Sequence, residues 1–132
     1  MRSDRILIAA TLILVSTAAA AAGKAPPTDP ATLKATGEPR NCISNMPQVS
    51  TTPVGNSVLM FQSGSRWYRN DLRSSCPALR DDRVLVFRNS QGSQYCSLDM
   101  FDVVEPAGRM NMGSCSLGKF TPVDVPKGTR FK

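Results

Sequence analysis

Apolar runs of strand length alternate along the chain with polar links that carry glycine or proline. Ser57-Val58-Leu59-Met60-Phe61 is largely apolar and stops at Ser63-Gly64-Ser65, after which Arg66-Trp67-Tyr68-Arg69 follows. Two β-prone runs around a short glycine-containing link predict a hairpin. Arg83-Val84-Leu85-Val86-Phe87-Arg88 is an apolar run bounded by charge, Asn89-Ser90-Gln91-Gly92 carries turn chemistry, and Ser93-Gln94-Tyr95-Cys96-Ser97 returns. That pattern predicts a second hairpin. Met100-Phe101-Asp102-Val103-Val104 reads as a further strand, ended by Pro106 and Gly108, and the segment from Gly118 to Val125 alternates around Pro122, which suits an edge strand. Between the hairpins, Ser75-Cys76-Pro77-Ala78-Leu79 fits one helical turn with Pro77 at its first position. No long amphipathic helix and no internal repeat is visible. About six short strands predict a mostly β fold, a small antiparallel barrel or sandwich. A domain of this size is marginal on core burial alone and calls for staples.

The two ends of the chain carry different patterns. Residues 1–22 read as a signal peptide: Arg2 and Arg5 precede an apolar run from Ile6 to Val15, and Ala18 to Ala22 places small residues before a cleavage point after Ala22. The apolar run is too short for a membrane span, which needs roughly 20 residues. The expectation is a bacterial periplasmic or secreted chain that spans no membrane once the signal is removed. Residues 23–39 hold Pro26, Pro27, Pro30 and Pro39 without apolar periodicity and read as a disordered linker. The folded domain is expected over residues 40–126, with residues 127–132 as a frayed basic tail.

Composition narrows the chemistry. The 132 residues include 16 Lys+Arg, 10 Asp+Glu and no His, for a formal net charge of +6. Without His there is no Ser-His-Asp triad, no Cys-His dyad and no His-ligated metal. Much of the positive charge lies toward the ends, in Lys24, Lys34, Lys127, Arg130 and Lys132. Residues 40–126 carry nine basic and seven acidic side chains, a balance that argues against nucleic acid as partner.

Cys42, Cys76, Cys96 and Cys115 contain no C-x-x-C pair, which removes support for zinc knuckles and thioredoxin-like motifs. An even count in an exported small domain implies two structural disulfides. Four cysteines allow three pairings. The preferred one is Cys42–Cys115, tying the domain's ends, with Cys76–Cys96.

Around these cysteines the segments Arg40-Asn41-Cys42-Ile43, the run from Tyr68 to Leu79, Tyr95-Cys96-Ser97-Leu98-Asp99 and the run from Gly113 to Val123 resemble a family of small exported proteobacterial proteins, domain of unknown function 6491. The resemblance covers most of residues 40–123. It implies an exported, four-cysteine single domain and supplies no activity or catalytic residue. In the family pattern a glycine often stands at the position of Leu98; this chain departs there.

The most distinctive local cluster is Arg66, Trp67, Tyr68, Arg69 and Asp71, a candidate ligand-binding site in which aromatic rings stack a sugar or base while an arginine holds an anion. In a strand Trp67 and Tyr68 point to opposite faces, so core packing competes with that reading. Asp71, Asp99 and Asp102 are the carboxylates a small envelope hydrolase would have to pair, about 5 to 9 Å apart; turn formation accounts more simply for Asp71 and Asp99. Asp81-Asp82 beside Arg80 and Arg83 reads as local charge pairing. Ser114 and Ser116 lack a base other than Lys119, the Gly113 to Gly118 segment does not precede a helix, and Met110 with Met112 is too few soft ligands for copper(I). No cofactor, metal or catalytic residue is expected. The leading reading is a monomeric, non-enzymatic binding module for a cell-envelope component or an exported partner, with the Asp-based hydrolase and an acidic-polymer binder as alternatives.

Overall fold

A computed structural model describes residues 26–88 and 92–131. The expected signal peptide lies outside the described residues, as do Asn89, Ser90 and Gln91 of the expected second turn. Among the described residues nine strands form three antiparallel sheets: β1 (Cys42–Ser44), β2 (Val49–Val54), β3 (Val58–Ser63), β4 (Arg66–Asp71), β5 (Val84–Arg88), β6 (Gln94–Cys96), β7 (Met100–Glu105), β8 (Met110–Ser116) and β9 (Phe120–Val123). The orders are β2-β3-β4-β9, β5-β7-β8 and β1-β6. The sheets do not close into a barrel; they make a sandwich-like, mostly β domain.

The first hairpin forms as the sequence predicts. Ser63 pairs with Arg66 across Gly64-Ser65. Gly64 has φ 60° while Ser65 is not in the positive-φ region, the arrangement of a two-residue II′ turn with glycine first. Strand β9 is an edge of its sheet and carries Pro122 there, where a missing N–H costs no ladder bond.

The second expected hairpin does not form. Strand β5 pairs with β7, in a register that sets Leu85 opposite Val103 and Phe87 opposite Phe101. Strand β6 pairs with β1, placing Cys96 opposite Cys42. Both choices pack Leu85, Phe87 and Tyr95 against one core of Ile43, Leu59, Phe61, Tyr68, Leu72, Cys76, Leu79, Phe101, Val103, Leu117 and Phe120. Three strands lack an apolar signature in the sequence. Strand β1 is three residues long, β2 is a Thr- and Pro-bearing edge, and β8 is exposed over most of its length and held by its ladder to β7. The segment around Cys76 is a hydrogen-bonded turn, Leu79 N–H to Cys76 C=O at 2.9 Å, rather than a helical turn.

The disulfides are Cys42–Cys96 and Cys76–Cys115, which corrects the preferred nested pairing. Pairing of β1 with β6 brings Cys42 and Cys96 together, and buried Cys76 reaches Cys115 on β8 from the loop after β4. The two loops interleave, spanning 54 and 39 residues. In the loop-entropy account each contributes about 4 kcal/mol.

The described parts of the expected linker and tail, residues 26–39 and 127–131, are tied to the domain. Pro30–Thr32 forms a short 3-10 turn capped by the Asp29 side chain. Ala35 bridges Val123, Arg40 bridges Phe120, and the Thr28 N–H donates to the Arg130 carbonyl at 2.7 Å. Leu33, Val125 and Phe131 pack with Trp67 over Val54, Met60 and Val123, on the second face of the four-stranded sheet. The prolines that suggested disorder fit because the segment is extended and makes few ladder bonds.

Two tight positions pin the frame. Buried Asn70 on β4 donates to the Gly118 carbonyl and accepts from the Gly118 N–H, both at 2.9 Å. A side chain at Gly118 would collide with the backbone carbonyl of Asp71, so the close approach requires glycine. Leu98 takes φ 81° and is 62% exposed. The tight turn forms there on a leucine, closed by Asp99, which bonds Cys96 in both directions (Cys96 N–H to the Asp99 carboxylate, 2.8 Å; Asp99 N–H to the Cys96 carbonyl, 3.0 Å).

Replacing Leu98 by Gly removes a left-handed Cβ clash and is expected to stabilise the domain by about 1 kcal/mol in urea unfolding of the oxidised protein. A neutral or destabilising result would mean that exposed Leu98 makes up the strain through packing. Phe131→Ala is expected to cost about 1–2 kcal/mol and to shift the emission of Trp67, the chain's single tryptophan, to longer wavelength. Unchanged emission would show that the tail does not cover Trp67.

Candidate functional site

Strand β4 carries the sequence-predicted cluster, and its alternation divides that cluster between two faces. Trp67 faces the covered side, with its ring edge-on to Phe131 at 5.7 Å between centroids. Arg69 lies on that side too. It pairs with Asp71 at 3.1 Å and donates to the Pro30 carbonyl at 3.2 Å, which holds the N-terminal segment against the sheet. Trp67, Arg69 and Asp71 are therefore structural in position. Arg66 and Tyr68 remain on the other side and line an open groove of 410 Å³.

The opposite wall of that groove comes from the chain around β1. Arg40 is fixed through its backbone: its N–H donates to the Phe120 carbonyl at 2.8 Å and its carbonyl accepts from Phe120 at 2.9 Å. Ser44 accepts from the Met46 N–H and donates to the Met46 carbonyl, shaping a turn that leads into the cis Met46–Pro47 bond. The hairpin tip contributes Ser63, Gly64 and Ser65. No carboxylate lines the groove among the described residues. The Arg40 and Arg66 side chains make no ion pair or hydrogen bond among them. Arg40, Ser44, Ser63 and Ser65 were not singled out in the sequence. Nothing in the local pattern marks Arg40; only the pairing of β1 with β6 and the bridge to Phe120 bring it into the same groove as Arg66.

The candidate carboxylates are each engaged elsewhere. Asp71 is in the Arg69 bridge and Asp99 is buried at the Cys96 turn. Asp102, on β7, accepts from the Ser114 hydroxyl and from the Arg88 guanidinium. None of the three lines the groove. The Ser114 hydroxyl bond, then the Arg88 bonds and charge, hold Asp102 below its ordinary carboxylate value. Glu105 is lowered as well, by the backbone N–H groups of Gly108 and Ala107. Asp82 pairs with Arg80 at 3.2 Å and lies 3.7 Å from Arg83, the local pairing its sequence suggested. Met110 and Met112 are exposed on β8. No group of three His, Cys, Asp or Glu suited to a metal occurs among the described residues.

Residues 2–130 match the model of a protein family described as "Family of unknown function (DUF6491)". No curated protein and no solved structure matches the chain.

The depressed value of Asp102 has a definite sign for stability. A carboxylate whose folded value lies below its unfolded one adds stability above the unfolded value, and loses it as pH falls through the folded one. Asp102→Asn is therefore expected to flatten the fall of unfolding free energy below about pH 4, leaving a smaller slope from Glu105. An unchanged acid limb in a urea series would remove Asp102 as its source.

Proposed function

The chain belongs to the DUF6491 family, whose function is unknown, and we propose that it is an exported, non-enzymatic binding module that takes a cell-envelope component or an exported partner into the groove between Arg40 and Arg66. The observation that carries this reading is a concave site with two uncompensated guanidinium groups on its walls and no carboxylate in its lining. Uncompensated arginine side chains around a hollow are suited to a ligand that brings the missing acceptors. Two disulfides fit an oxidising compartment, in line with the signal-like N-terminus. The hydrolase reading has less support. It needs two carboxylates at one cleft, and Asp71, Asp99 and Asp102 are bound to an arginine, a backbone turn and a serine–arginine pair respectively.

Co-sedimentation of the oxidised protein with purified bacterial envelope fractions tests the reading. Wild type is expected to sediment with the envelope. Arg40→Ala/Arg66→Ala is expected to sediment about tenfold more weakly. Arg73→Ala/Lys119→Ala, which removes the same charge from exposed positions outside the groove, should sediment like wild type. Equal loss in both double variants would reduce the interaction to net charge, and release of cleaved envelope material would favour the hydrolase.

A further inference from the structure

We propose that the ligand of this groove is an acidic saccharide, a sugar unit bearing a carboxylate or a phosphate; the proposal rests on the binding reading above and specifies its chemistry. The charged part of the argument is Arg40 and Arg66. Each has a backbone fixed in pairing and a side chain free of partners among the described residues. Planar guanidinium forks match the oxygens of a carboxylate or phosphate, and fixed attachment points lower the entropic cost of holding one.

The neutral part of the groove points to a sugar rather than to a bare anion. The hydroxyl groups of Ser63, Ser65 and Tyr68 make no hydrogen bond among the described residues. Each can both donate and accept, as sugar hydroxyls require. Met46 is 71% exposed and stands beside Pro47 in the lining, giving an apolar patch for the C–H face of a ring. At 410 Å³ the groove lies within the usual range for small-ligand sites, about 300–1,000 Å³.

Single-stranded nucleic acid fits less well, because it calls for exposed aromatic platforms. Trp67 is packed on Phe131, and Tyr95 is packed against Phe61 and Phe87. Tyr68 is 93% buried by its neighbours, exposing 7% of its surface, too little to stack a base.

The test is an amide-resolved NMR titration of the full oxidised domain with four probes: trigalacturonate, glucose 6-phosphate, maltotriose and inorganic phosphate. The expected result is that at least one acidic sugar shifts the amides of Ser44, Gly64 and Arg66 with a Kd about tenfold below those of maltotriose and phosphate. Arg40→Ala/Arg66→Ala should raise that Kd about tenfold or more, and Arg73→Ala/Lys119→Ala should leave it unchanged. Trigalacturonate above glucose 6-phosphate assigns the charge to a carboxylate, and the reverse order assigns it to a phosphate; either supports the proposal. Equal binding of maltotriose would overturn the acidic requirement, and equal binding of inorganic phosphate would overturn the saccharide. Groove amides unmoved by all four probes would overturn the proposal outright. Groove-dependent sedimentation with the envelope would still stand in each of these cases, so failure here is separable from failure of the binding reading.

Discussion

Phe61 is the point at which the three sheets meet. Its ring, on β3 of the four-stranded sheet, lies 5.9 Å from Phe87 on β5 and 5.8 Å from Tyr95 on β6, and 5.2 Å edge-on from Phe120 on β9. Phe87 in turn stacks near Tyr95 and Phe101. No sheet in this domain is large enough to bury its own apolar face, and the two-stranded β1-β6 ribbon could not persist alone. The aromatic junction supplies the shared burial, and the disulfides hold the loops and short strands around it. Everything that shapes the groove depends on that arrangement, since one wall comes from the ribbon and the other from the β3–β4 hairpin.

Local signals in the sequence were informative where a structure is local. The apolar run from Val58, the Gly64-Ser65 link and the alternation of β4 define the first hairpin without outside help. The second expected hairpin shows the limit. Val84 to Phe87 and Tyr95 are recognisably β-prone, but periodicity does not name a partner, and the core register with β7 and the ribbon with β1 prevailed. Strand β8 is exposed over most of its length and is held by the backbone ladder to β7, the Cys76–Cys115 bridge and the Ser114–Asp102 hydrogen bond, none of which leaves a periodic side-chain pattern. The disulfide pairing differs for a related reason: tying the ends economises on chain, whereas Cys42–Cys96 follows the pairing of β1 with β6 and Cys76–Cys115 follows the burial of the loop after β4.

The functional reading shows the same division. Opposite faces for Trp67 and Tyr68 follow from strand geometry alone, and this separates the tight-looking Arg66 to Asp71 cluster into a structural half and a groove half. Arg40 could be matched to Arg66 only through long-range contacts, the pairing of β1 with β6 and the bridge from Arg40 to Phe120. The acidic side chains act mainly as braces: Asp29 caps a turn, Asp71 steadies Arg69, Asp99 closes the Leu98 turn, and Asp102 joins Arg88 to Ser114. That use of the carboxylates leaves the two groove arginines without counter-charge.

The meeting of Thr28 with Arg130 has a mechanical consequence. Both ends of the described domain leave from the same place, so a tug between them peels the terminal segments from the sheet one bond at a time rather than shearing strands in parallel. Past Cys42 on one side and Cys115 on the other, the interleaved bridges take the load: the shortest covalent route crosses from Cys42 to Cys96 and leaves only the 19 residues to Cys115 as slack. The domain is thus compliant at its ends and covalently limited at its centre, where stretch cannot exceed the reach of those 19 residues, and the walls around Arg40 and Arg66 lie next to the limited part.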